Sequence, residues 1–77
     1  MSVYVERYPG QHLKVHQVCR TAFECGRPWL TFDKIQDFSG TWPVAGAVMA
    51  LREQGKLQTR IGPTGRVEIA VREAAGG

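Results

Sequence analysis

The chain has 77 residues and a mass of 8.6 kDa, 43% hydrophobic and 22% charged, which is room for one small domain and no more. No apolar run approaches the roughly 20 residues of a membrane-spanning helix, and no basic start leads into an apolar stretch with a small-residue cleavage site, so neither a span nor a secretory signal is expected. The net charge of +3 and a pI near 9.2 are mildly basic, compatible with a nucleic-acid partner without requiring one.

Residues 1–10 open with Val3-Tyr4-Val5, a weak alternation that stops at the turn signal Pro9-Gly10, and read as an N-terminal arm or short strand. From Gln11 the period becomes helical. Val15, Val18, Cys19 and Ala22 share one face, His12, His16 and Phe23 flank it, and Gly26 with Pro28 supplies the stop. Trp29-Leu30 is a stub of strand. Thr31 is placed to cap a second helix with the apolar stripe Phe32, Ile35 and Phe38, ending at Ser39-Gly40.

A third helix is expected over residues 43–54, capped by Thr41 or Trp42, with Pro43 in its first turn, where a missing amide costs nothing. Val44, Ala47, Val48 and Leu51 form its buried stripe; Gly46, Ala50 and Glu53 are assigned to the outer face, and Gly55 ends it. A hairpin follows. Leu57, Thr59 and Ile61 alternate with polar residues, Gly62-Pro63-Thr64-Gly65 turns, and Val67, Ile69 and Val71 return. Residues 73–77 are small and polar and read as a flexible tail. Trp29, Phe23, Phe32 and Phe38 are the aromatic candidates for filling the core.

The order α-β-α-α-β-β, together with the run Phe32 to Gly40, the Val44, Val48 and Leu51 stripe and the sequence Leu51-Arg52-Glu53-Gln54-Gly55-Lys56-Leu57, resembles the winged-helix family. In that family a Leu-x-x-x-Gly-Lys-Leu segment marks the end of the third helix and entry to the wing. The resemblance covers residues 11–72 and points to no particular subfamily. It implies an α+β fold: a three-helix bundle with a helix-turn-helix and a C-terminal two-stranded hairpin wing. It also implies double-stranded DNA as partner, with the third helix in the major groove and the wing along the phosphates.

Charge placement agrees in part. Residues 52–72 carry Arg52, Lys56, Arg60, Arg66 and Arg72 against Glu53 and Glu68, a local balance of +3, while residues 1–51 balance to +1. The candidate DNA-binding set is therefore Thr41, Trp42, Ala45, Arg52, Lys56, Arg60, Thr64 and Arg66. The outer face of the third helix argues the other way, because Gly46, Met49 and Ala50 offer no bidentate donor for a base edge. Those three residues suit a protein partner instead, so the alternative expectation is a winged-helix protein-contact module. The N-terminal arm could also extend a sheet in a homodimer.

Cys19 and Cys25 do not make a disulfide framework and read as two reduced thiols of a cytoplasmic protein, nucleoid-associated if it binds DNA. His12, His16 and Cys19 stand at i, i+4 and i+7, with Cys25 beyond, yet no paired Cys-x-x-Cys accompanies them, so no metal and no cofactor are expected. Cys25 lacks an orienting third group and an oxyanion loop, and a domain of this size has little spare stability for a deep cleft. The expectation is a non-enzyme with no small-molecule substrate.

Overall fold

The structure is a computed structural model that describes residues 9–72. The expected 73–77 tail and, apart from Pro9 and Gly10, the expected arm lie outside the described residues. Three helices and three strands follow in the order α1 (Gln11–Glu24), β1 (Leu30–Thr31), α2 (Phe32–Ser39), α3 (Ala45–Glu53), β2 (Leu57–Ile61) and β3 (Val67–Val71). The fold is α+β, and its strands form one antiparallel sheet in the order β1-β3-β2.

Glycine endings set the helix boundaries. After α1, Gly26 adopts a left-handed φ of 83°, its amide reaches the Phe23 carbonyl at 3.1 Å and the Arg27 amide reaches back to Ala22 at 3.0 Å. After α3, Gly55 at φ 78° does the same: its amide bonds Arg52 O at 3.0 Å and the Lys56 amide bonds Leu51 O at 2.9 Å. Both are Schellman motifs, which satisfy the last carbonyls of a helix and turn the chain sharply out of it. The Leu51-to-Leu57 segment is thus a capped helix end feeding directly into β2. At the start of α2 the Thr31 hydroxyl accepts from the Lys34 amide at 3.4 Å, as its capping role requires.

The hairpin pairs Leu57 with Val71, Thr59 with Ile69 and Ile61 with Val67, and β1 pairs Leu30 with Ile69 on the other edge of β3. Its loop has Gly65 in the left-handed region, with Gly65 N donating to Gly62 O at 3.0 Å and Gly62 N to Arg66 O at 2.8 Å. The helices pack against this sheet over an aliphatic core. Val15, Cys19, Ile35, Val44, Val48, Leu51, Leu57, Ile69 and Val71 are all essentially without solvent exposure.

Four expectations are corrected here. The aromatics do not fill the core: Phe32 packs on its margin, Trp29 is half-buried, and Phe23 and Phe38 are 36% and 64% exposed. Ile61 is 69% exposed, at the distal end of the edge strand β2. Ala50, assigned to the outer face of α3, is fully buried. The link between α2 and α3 is longer than a tight three-residue turn. It spans residues 40–44, and α3 starts at Ala45 with Val44 as its cap residue, so Pro43 lies outside the helix.

The physical reason for that late start is a buried polar node. Gln11, in the first turn of α1, is 1% exposed and its side-chain amide donates to the Pro43 carbonyl at 2.9 Å and to Thr41 Oγ1 at 3.3 Å. Ser39 and Thr41 share a hydroxyl hydrogen bond at 3.0 Å, and the Thr41 amide donates to Ser39 Oγ at 3.3 Å. The residues that would open a helix at Pro43 are instead bound to α1. The Trp42–Pro43 peptide within this link is cis.

Candidate nucleic-acid interface

On α3 the solvent face consists of Ala45, Arg52 and Glu53, with Gly46 and Met49 half-buried beside them. Trp42, just before the helix, is 66% exposed at the same end as Ala45. A Cβ built on Gly46 meets no atom within 4 Å, so nothing within the described residues crowds that face. Thr41 does not belong to it. It is 8% exposed, and its hydroxyl is shared between Gln11 and Ser39. Ala50 is likewise removed from the protein-contact set, which shrinks to Gly46 and Met49.

The hairpin's arginines divide into two kinds. Arg60 donates Nε to Glu68 at 2.8 Å and lays its guanidinium over the Trp29 ring, 4.0 Å from the centroid. This cross-strand pair follows from the register that sets Arg60 opposite Glu68. The carboxylate of Glu68 also occupies the space beside Gly62, where an added Cβ would approach it to 2.5 Å. Arg60 is therefore spent on holding β2, β3 and the Trp29 stub together. Arg66, near the loop, faces Asp33 of α2 across 4.0 Å, with both side chains more than two-thirds exposed. An ion pair that open to water is weak and leaves Arg66 able to move. Thr64 sits exposed at the tip of the loop.

The uncompensated charge lies at the other end of the hairpin. The Arg72 amide donates to the Lys56 carbonyl at 2.9 Å, extending the β2–β3 ladder by one step beyond Leu57 and Val71. The Gly55 amide bonds the Arg52 carbonyl next door. Arg52, Lys56 and Arg72 are thereby gathered where α3 passes into the hairpin; all three are exposed, and none is ion-paired among the described residues. Arg72 is the member that single-residue reading left out of the site; only the register, which sets it beside Lys56, brings it in.

The remaining chemistry of α1 does not assemble. Cys19 is fully buried in the core, where desolvation pushes its thiol up to about 11, and Cys25 is exposed beyond the helix end. Among the described residues no three His, Cys, Asp or Glu side chains come together as a metal site, so His12, His16, Cys19 and Cys25 form no ligand set there. No described helix is long and apolar enough to cross a membrane. No protein-family model matches the chain, and neither the curated proteins nor the solved structures yield a match.

Proposed function

We propose that this chain is a winged-helix domain that binds double-stranded DNA, contacting phosphates through Arg52, Lys56 and Arg72 and lying along the groove with the Trp42-to-Arg52 face of α3. The element order and the capped α3 leading straight into a hairpin support the family resemblance. The observation that carries the DNA reading is the cluster of three exposed, unpaired cations at the α3–wing junction. It continues a helix face whose Ala45 and Gly46 permit close approach.

Without a bidentate donor at Ala45, Gly46 or Met49, the binding is dominated by the backbone term and is weakly selective for sequence. Apolar contact between Ala45 and a thymine methyl is the base reading this face has to offer. Arg66 and Thr64 add a second, more mobile contact at the wing tip.

Alanine variants test the assignment. Replacing Arg52, Lys56 and Arg72 together lowers affinity for all duplex sequences alike and flattens the salt dependence, whereas Arg60→Ala, which removes a structural pair, leaves the salt slope unchanged. Equal slopes for the wild type and the triple variant would refute the phosphate role of the junction.

A further inference from the structure

A groove of about 730 Å³ runs between α1 and α2, and no residue of α3, β2 or β3 lines it. Its lining on α1 is Lys14, Gln17, Val18, Thr21 and Ala22, a single helical face about 12 Å long at 1.5 Å per residue, and it continues to Cys25 just beyond the helix end. Phe38 and Lys34 of α2 form the opposite wall, and Trp29 and Leu30 contribute from the stub between the helices. Val18, Ala22, Trp29, Leu30 and Phe38 make the apolar surface, with Phe38 standing 64% exposed at the lip. A phenyl ring left that open by an otherwise aliphatic core is a candidate anchor for a partner.

The charge around this groove is of one sign. Among the described residues Lys14, Arg27 and Lys34 line it, no carboxylate does, and none of the three cations is ion-paired. Two copies meeting groove to groove would bring these six cations together, which disfavours self-association through this face. A helical wall of just over two turns fits a short helix, and an open lip fits a macromolecule better than an enclosed small ligand. We infer that the α1–α2 groove docks an acidic amphipathic helix of a protein partner, its apolar residues against Phe38, Val18 and Ala22 and its carboxylates toward Lys14, Arg27 and Lys34. Because the groove shares no residue with the α3 face or the wing junction, such a partner binds whether or not DNA does.

The test is a heteronuclear NMR titration of the full chain with a ~15-residue peptide carrying leucines at helical spacing and glutamates elsewhere, a length just able to form a helix. A second peptide has the same leucines with lysines in place of the glutamates. The acidic peptide shifts the amides of Val18, Ala22, Leu30 and Phe38. It binds about tenfold or more tightly than the lysine version, three rim pairs of ordinary exposed strength being enough for that ratio. Lys14→Glu with Lys34→Glu inverts the preference, and the dispersion of the same spectra reports that the variant is folded. Equal binding of the two peptides, shifts confined to other surfaces, or no shift at millimolar peptide would each overturn the inference. Line broadening of these amides that grows with protein concentration alone would overturn it too, by assigning the groove to a second copy. So would saturation by a simple fatty carboxylate where the acidic peptide fails.

Discussion

Cys19 and Cys25 stand six positions apart and differ completely in environment. Cys25 is exposed, so an alkylating reagent at neutral pH modifies it first; Cys19 has no solvent exposure and reacts only when the chain unfolds. Burial raises the thiol of Cys19 from its ordinary 9.0 to about 11 in the folded protein, because desolvation favours the neutral form. Stability from this group is therefore complete below pH 9 and is lost as pH rises toward 11, at about 1.4 kcal/mol for each pH unit of that window. Denaturant melts at pH 8 and pH 10.5 measure it. Cys19→Ala, although less stable throughout, loses less across this interval than the wild type; an identical loss would show that other groups carry the alkaline transition. Gln11 is the other decisive residue. Gln11→Ala strands the Pro43 carbonyl and one side of Thr41 inside the protein, an expected cost of about 1–3 kcal/mol. Amide exchange then speeds selectively in the 40–44 link, and uniform acceleration across the chain would argue against a local tether.

At the scale of elements, most boundaries are legible because glycine marks them. Gly26, Gly40 and Gly55 each take a left-handed φ at a helix end, and the alternation of Val67, Ile69 and Val71 marks the core-facing side of β3, although Ala70 on the other side is buried as well. What the sequence does not reveal has physical causes too. The α3 segment Ala45-Gly46-Ala47-Val48-Met49-Ala50 has almost no polar contrast, so its period does not say which alanine faces inward; Ala50 turns in and Ala45 out. Phe38 lies about 120° around the helix from Phe32, at 100° per residue, and so falls off the stripe that Phe32 and Ile35 define. Gln11 looks like any polar residue in a first turn, and only the approach of the α2–α3 link gives it partners. Gly46 offers the sharpest test at this scale. Its Cβ would meet nothing within 4 Å and its φ is not left-handed, so Gly46→Ala raises stability by roughly 0.5–1 kcal/mol, about 3–6 °C in Tm for a domain of this size. A methyl group there also intrudes on whatever lies against α3. Gain in stability with weakened duplex binding places DNA on this face; a gain with unchanged binding moves the contact away from it.

Across the described residues, seven of the basic side chains fall into three groups. Arg60 is structural, bound to Glu68 and Trp29; Lys14, Arg27 and Lys34 line the α1–α2 groove; Arg52, Lys56 and Arg72 gather where α3 passes into the hairpin. Counting charge along the chain weights the C-terminal part, but it cannot separate an arginine paired across the hairpin from one beside a helix end, because that division is made by strand register. On the proposed DNA-binding reading, the phosphate contacts therefore lie at the base of the hairpin and not at its centre. The most direct measurement is the anisotropy of a labelled random-sequence duplex titrated with the wild-type chain at 50 and 200 mM salt. Three phosphate contacts at a slope of about −0.9 each predict an affinity loss of about 40-fold over that range. Absence of binding at the lower salt, or an affinity that does not change between the two, would contradict the DNA-binding reading.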